Sequence, residues 1–320
     1  MKMTTTPDLV LNKGSLTAKQ IRDLIKSRSL SDSTWRVMFS QCKKFIHWGG
    51  KIPSSPESVC DYLTHLAKTG IKSAGLDSAK WAIDQVHKLQ KIDEPSRDGT
   101  VSTHLKGLKR ILVEEYPNQA LTSQKRPITI NDIRKLTFSD DLKGLRDKAL
   151  MLVGFASGMR RSELTTLRRS DIEATEFGVR IKIWKSKSNQ EGLGETVDVL
   201  NAVRGANIDF CPTKALMDLL EQVKGDYVFQ GLKGKNKSFR FSGTPLSGVS
   251  IGQIIKSYVV QLGLDQSSYG GHSLRAGLAT YLLDQEIHPA AVQKQMRHKR
   301  FDTTQRYNRG ETARVLVGSY

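Results

Sequence analysis

Cysteine is scarce in this sequence, and its scarcity excludes two kinds of site. The 320 residues include three cysteines, Cys42, Cys60 and Cys211, which lie far apart and form no C-x-x-C pair. A disulfide framework or a thiolate zinc site needs more cysteines at closer spacing. We therefore expect reduced thiols in a reducing compartment and no structural metal.

Long apolar runs are also missing. No stretch approaches the roughly 18 apolar residues of a membrane-spanning helix, and the opening segment MKMTTTPDLVLNKG lacks the apolar centre of a secretory signal. There is no G-x-x-x-x-G-K-[ST] loop for ATP, and the carboxylates do not gather like the ligands of a two-metal site. We expect a cytoplasmic protein that acts without membrane, metal or cofactor.

Acidic residues are outnumbered. The chain has 32 Asp and Glu against 50 Lys and Arg, which gives a formal net charge of +18 at pH 7. Such a surplus favours a polyanionic partner, most often nucleic acid. The charge alone does not say which nucleic acid is bound, or whether any chemistry takes place on it. The length suggests about two domains of roughly 100 to 200 residues each.

The first part of the chain is predicted to be helical. We interpret residues 1–15 as a flexible arm and residues 16–120 as an all-α domain, because apolar residues recur there every three or four positions. Basic residues occupy the polar sides of two of its helices. A solvated surface explains either cluster alone, whereas both on one small domain favour a DNA-clamping surface. The candidate DNA-binding residues are Arg36, Lys43, Lys44, His47, Lys106, Lys109 and Arg110.

The second part combines helices with a small sheet. Residues 121–128 are basic, rich in Ser and Thr and contain proline, which predicts a linker. A second domain, 129–320, begins with a helix start near Thr129 and continues into two helices. GVRIKIW and ETVDVL alternate apolar and polar residues and predict a β-hairpin. From Pro212 onward we expect helices, apart from a loop at GLKGKNKSFRFSG. The predicted fold is mostly α with a small antiparallel sheet (α+β).

Four short motifs of the second domain carry potential chemistry. Taken singly, each has an ordinary explanation, such as a surface ion pair between residues one helical turn apart. In chain order they supply Arg160 with Glu163 in SGMRRSELTTL, Lys185 and Lys187 in WKSKSNQ, His272 with Arg275 in GGHSLRAGL, and His298 with Tyr307 in MRHKRFDTTQRYNRG.

This ordered set resembles the tyrosine recombinase (phage integrase) family. That family carries an arginine in a G-[LM]-R-x-x-E-[IL] helix, a lysine on a β-hairpin, an H-x-x-R pair, then a histidine or tryptophan and a nucleophilic tyrosine. The G-M-R frame selects Arg160 over Arg161, whereas Lys185 stays an alternative to Lys187 because hairpin length varies. The resemblance covers the chain from about residue 127 to the end. The matching residues are Arg160, Lys187, His272, Arg275, His298 and Tyr307.

The resemblance implies covalent catalysis on DNA. Tyr307 would attack the scissile phosphate and form a 3′-phosphotyrosine, which conserves the phosphodiester bond energy until the strand is rejoined. Guanidinium groups bind phosphate oxygens in pairs and keep their proton. Arg160 and Arg275 would therefore clamp the phosphate.

The remaining site residues receive supporting roles from the same resemblance. His272 is the candidate base for the tyrosine hydroxyl, since histidine exchanges protons near neutral pH. Lys187 is the candidate acid for the leaving 5′-oxygen. His298 would add a hydrogen-bond donor, and Glu163 would orient the cationic groups.

The resemblance also implies an assembly. Such a recombinase binds double-stranded DNA at inverted repeats and exchanges strands through a Holliday junction in a homotetramer, in association with the nucleoid. The tail, 308–320, would pack on a neighbouring subunit or on its own domain. The short N-terminal arm favours a simple, Cre-like recombinase of a phage, plasmid or transposon.

Two other interpretations remain at this point. One is a type IB topoisomerase, which relaxes supercoils with similar chemistry. The other is a DNA-binding protein without catalysis. The compact spacing from H-x-x-R to the tyrosine favours the recombinase over the first, and the complete set of catalytic residue types favours it over the second.

Overall fold

The chain divides into two compact units, Met1–Ser123 and Gln124–Tyr320. The structure is a computed structural model, and it describes residues 30–117, 124–184, 194–202, 208–234 and 238–307. The arm predicted at residues 1–15 and the tail 308–320 lie outside these residues. None of the helices within these ranges is long and apolar enough to cross a bilayer.

The described part of the first unit consists of helices, as the apolar spacing predicted. Ser31 begins the first of them, because its side chain accepts the Thr34 N–H at 3.3 Å, and Gly49 ends it in the left-handed conformation (φ 115°). Phe45 and Tyr62 form the centre of the core, with their ring centroids 5.0 Å apart. The helices are α1 (Asp32–Trp48), α2 (Pro56–Lys68), α3 (Ser73–Gln90) and α4 (Thr100–Glu115).

Helices also dominate the second unit. The predicted helix start near Thr129 is confirmed, since Thr129 and Asp132 exchange backbone-to-side-chain hydrogen bonds of 2.8 and 3.1 Å. Gly158 (φ 56°) ends α6 at the expected break. The helices are α5 (Ile130–Arg134), α6 (Leu142–Ser157), α7 (Arg161–Thr166), α8 (Pro212–Gln222), α9 (Gly248–Gln261), α10 (Ser273–Asp284), α11 (Pro289–Gln295) and α12 (Phe301–Gln305).

The predicted β-hairpin is present, and a further strand extends it. Within the described segments, β1 (Ile172–Thr175), β2 (Gly178–Ile183) and β3 (Glu195–Leu200) form an antiparallel sheet in that order. Val179 and Val199 face each other across the hairpin, on the buried side of the sheet. Strand β1 gave no clear sequence signal because it has only four residues, which are mostly exposed.

The loop prediction for GLKGKNKSFRFSG was wrong. Strands β4 (Gln230–Lys233) and β5 (Arg240–Pro245) form an antiparallel pair there, with Leu232 opposite Phe241. The buried amide of Gln230 supports this pair, since it accepts the Gly243 N–H at 2.8 Å and donates to the Tyr227 carbonyl at 2.9 Å. Because a polar residue, Gln230, takes a buried position in β4, the strand does not show the alternation of apolar and polar residues that predicts strands.

The second unit begins before the predicted linker ends. The backbone N–H groups of Arg126 and Ile128, within 121–128, bond to the carbonyls of Ser268 and Ser273 at 2.9 and 3.0 Å. Ile128 is fully buried. Its carbonyl lies so close to α10 that a Cβ at Gly277 would meet it at 1.9 Å, so this helix position requires glycine. The chain entering the unit therefore holds α10 in place.

Candidate active site

A buried carboxylate organises the start of α7. Glu163 has no exposed side-chain surface. It accepts the backbone N–H of Arg160 at 2.7 Å through Oε2 and the guanidinium of Arg160 at 2.8 Å through Oε1. The sequence spacing had allowed an exposed ion pair, but burial makes this pair far more rigid than a surface one. The Arg160 side chain stays 14% exposed, so part of its guanidinium can be reached from outside.

Helix α10 supplies the second predicted arginine. Arg275 is only 3% exposed. Its Nη1 donates to the Gly158 carbonyl at 2.5 Å and its Nη2 to the Met296 carbonyl. Burial and the neighbouring charges of Arg160 and Arg297 lower the pKa of Arg275 to about 10, so it remains charged near neutral pH. The Glu163 carboxylate acts in the opposite direction on this pKa.

His298 lies between α11 and α12, and Tyr307 follows the end of α12. Their rings are parallel within 8°, with centroids 5.8 Å apart. Nδ1 of His298 lies 2.9 Å from the hydroxyl of Thr304, which is fully buried. When the Thr304 hydroxyl donates this bond, the histidine proton sits on Nε2. Tyr307 is partly buried and packs against the core of the unit.

His298 is neutral at physiological pH. Burial, together with the charges of Arg275, Arg160 and Arg297, lowers its pKa to about 4. A neutral imidazole can donate one hydrogen bond without repelling the guanidinium groups around it. The site thus combines a neutral donor with permanent cations.

This pKa predicts a pH-dependent stability. In the unfolded chain His298 has a pKa of about 6.5, so folding withholds a proton from it between about pH 6.5 and 4. Above about pH 6.5 His298 does not destabilise the folded state. As the pH falls from about 6.5 to 4, the unfolded chain binds the proton and the free energy of unfolding decreases. Between pH 7 and 4 the wild type should lose about 3 kcal/mol more unfolding free energy than His298→Asn. Urea titrations test this, and parallel profiles would contradict it.

The other predicted catalytic residues are placed less fully. His272 directly precedes α10, three residues before Arg275, and its carbonyl accepts the Ala276 N–H at 2.9 Å. Lys187 and its alternative Lys185 lie outside the described residues, which end at Trp184 and resume at Gly194 around the hairpin tip.

Sequence reasoning missed Arg297. Its Nη2 donates to Oε2 of Glu163 at 2.7 Å, and its carbonyl accepts a hydrogen bond from Nη2 of Arg160 at 3.0 Å. The residue comes directly before His298 in MRHK, where a lone arginine gives no spacing signal. Two guanidinium groups thus bind one carboxylate, and this excess of positive charge suits an anion such as a phosphate diester.

The candidate DNA-binding residues of the first unit lie on two helices. Arg36, Lys43, Lys44 and His47 are exposed on α1. On α4, Lys106 and Arg110 are exposed, whereas Lys109 is half-buried and binds Asp77 at 2.6 Å. Both clusters therefore reach the surface, with Lys109 partly neutralised. No group of three or more His, Cys, Asp or Glu residues in the described ranges is arranged to hold a metal ion.

Comparisons with known proteins identify the family. The phage integrase family matches residues 127–314. The "Integrase/recombinase xerD homolog" of Selenomonas ruminantium is 31% identical over 306 residues, which is 92% of this chain and 86% of that protein. The tyrosine recombinase XerD of Halalkalibacterium halodurans is 25% identical over 290 residues, 88% of each chain.

The fold is shared with a solved integrase. The structure of residues 82–397 of the Tn1549 transposon integrase in complex with circular intermediate DNA has a TM-score of 0.61 and 15% identity to this chain, and the match covers 94% of this chain and 96% of the solved one. The family match spans more than half of the chain and includes every motif from Arg160 to Tyr307. This chain therefore belongs to the phage integrase family, the tyrosine recombinases, which are enzymes that cleave and rejoin DNA.

Proposed function

We propose that this protein is a site-specific recombinase that cleaves double-stranded DNA through Tyr307. The observation that carries the proposal is the pair of arginines bound to Glu163, together with the Tyr307 ring that lies parallel to that of His298 at 5.8 Å. The solved Tn1549 integrase, which shares the fold, was bound to DNA. The net charge of +18 supports the same kind of partner here.

Cleavage follows from the chemistry of these groups. The Tyr307 oxygen attacks the phosphorus, the bond to the 5′-oxygen breaks, and a 3′-phosphotyrosine and a free 5′-hydroxyl result. His272 takes the phenol proton and Lys187 protonates the leaving oxygen. The phosphorane formed on the way carries added negative charge, which Arg160, Arg275 and the N–H of His298 stabilise. Attack by a 5′-hydroxyl on the phosphotyrosine reverses these steps.

Recombination requires two duplexes. We propose that four copies of the chain hold two inverted-repeat sites and exchange the strands in pairs through a Holliday junction. Each phosphotyrosine then accepts the 5′-hydroxyl of the other duplex, so no ATP is consumed. A closed ring of identical subunits gives every protomer the same contacts.

Two plasmids distinguish this function from relaxation of supercoils. One carries two copies of the DNA sequence at which the protein forms covalent adducts, and the other carries none. A recombinase produces recombinant circles from the first and leaves the second supercoiled. A topoisomerase relaxes both plasmids and recombines neither, which would overturn the proposal.

The general acid can be tested separately. If Lys187 protonates the leaving 5′-oxygen, Lys187→Ala should cleave poorly, but a substrate with a 5′-thiolate leaving group should restore its rate. A thiolate leaves readily without a proton. The measurement is the single-turnover cleavage rate on both substrates. Rescue of Lys185→Ala instead would move the role to that residue.

A further inference from the structure

Arg297 contacts both partners of the pair that begins α7. Its Nη2 binds Oε2 of Glu163 at 2.7 Å, while its carbonyl oxygen binds Nη2 of Arg160 at 3.0 Å. The other terminal nitrogen of Arg160 binds Oε1 of Glu163 at 2.8 Å. Both ends of the Arg160 guanidinium are therefore anchored, and its plane is defined.

These anchors leave Arg160 with donors to spare. A guanidinium has five N–H groups, and two of those of Arg160 are used in these bonds. The remaining groups project in directions that the anchors determine. A planar fork held in this way is prepared to bind two phosphate oxygens without further loss of side-chain freedom.

The Arg297 side chain is directed onto the Glu163 carboxylate. Its side chain is 7% exposed, and the Glu163 carboxylate that it binds is not exposed at all. Nε of Arg297 also lies 3.6 Å from Oε2 of Glu195, the first residue of β3. The residue thus lies against both the start of α7 and the first residue of β3.

The backbone at Arg297 has a conformation that favours glycine. Its φ is 53°, in the left-handed region, which costs a side-chain-bearing residue on the order of 1 kcal/mol. Glycine would adopt this conformation without that cost. The contact of its side chain with Glu163 explains why an arginine occupies this position.

We propose that Arg297 is a positioning residue, which holds Glu163 and through it orients the Arg160 guanidinium toward the scissile phosphate. The inference rests on the proposed function of this site. It differs from a purely structural ion pair, because Arg297 then affects cleavage beyond any effect on folding.

Glycine at position 297 separates these two roles. Arg297→Gly relieves the backbone, and Glu286→Gly is the matched control, since Glu286 also has a positive φ (57°) and is exposed. We expect both variants to melt near the wild-type temperature and to bind DNA normally. Arg297→Gly should form the covalent adduct on the order of 10- to 100-fold more slowly, whereas Glu286→Gly should match the wild type.

Two further variants test the route through Glu163. Arg297→Lys keeps a cation for this carboxylate and should recover part of the rate, while Arg297→Met should not. In a Glu163→Gln background, Arg297→Met should slow cleavage less than about twofold further, because residues that act through one contact are not additive.

The outcomes are distinct. A wild-type cleavage rate in Arg297→Gly and Arg297→Met, or a fully additive loss with Glu163→Gln, would overturn the positioning role and leave the proposed function intact. Failure of the wild-type protein to form any adduct with DNA fragments from its source organism would overturn the proposed function, and this inference with it.

Discussion

Tyr307→Phe should abolish covalent attachment to DNA and leave DNA affinity unchanged. Phenylalanine retains the ring that lies parallel to His298 at 5.8 Å and its packing against the core, and removes only the hydroxyl. Without that oxygen no phosphotyrosine can form. The unchanged affinity follows because the phosphate contacts of the arginines and lysines remain.

Adduct formation and binding are measured separately for this variant. Denaturing gels detect protein attached to labelled DNA, and equilibrium titration gives the affinity. Tyr281→Phe is the matched control, since Tyr281 belongs to the same unit and is 41% exposed. The control should form adducts at the wild-type rate. Cleavage by Tyr307→Phe at the wild-type level would show that Tyr307 is not the nucleophile.

Arg160→Ala should slow cleavage by about 10² to 10³-fold, the usual effect of losing one donor aimed at developing charge. Arg160 is the more exposed of the two predicted clamp residues, with 14% of its side chain open, and two hydrogen bonds hold its guanidinium in place. The loss should appear in the rate at saturating DNA, because the added charge of the phosphorane arises only during the reaction.

Arg161 provides the comparison for this prediction. It neighbours Arg160 in the motif, but its side chain is exposed and packs against Gly271 and Gly248. Arg161→Ala should therefore cleave at nearly the wild-type rate once DNA saturates it. Melting temperatures show whether either variant is unfolded. A folded Arg160→Ala with normal turnover would exclude this residue from the clamp.

Local sequence signals were sufficient for the parts of the site built within one element. The spacing of Arg160 and Glu163 predicted their pairing, and alternation predicted the hairpin of β2 and β3. Capping residues such as Thr129 predicted where helices begin. Each of these features depends on residues that are close in the sequence.

Features that depend on tertiary packing were not predictable. Arg297 and Glu163 are in contact although 134 residues separate them in the sequence. The backbone of Arg297 is in the left-handed conformation, which no sequence pattern predicts for an arginine. The ion pair between Arg160 and Glu163 is rigid because Glu163 is buried. No pattern in the neighbouring sequence predicts that a charged residue is buried. Likewise, β4 and β5 are joined through the amide of Gln230.

Covalent capture on DNA tests the central claim most directly. Purified protein is mixed with fragmented DNA from its source organism, the reaction is stopped with detergent, and the DNA that stays attached to protein is sequenced. The proposed function predicts adducts at one short inverted-repeat sequence, linked to Tyr307 in the attached peptide. Adducts scattered over many unrelated sequences, or an attached peptide without Tyr307, would contradict it.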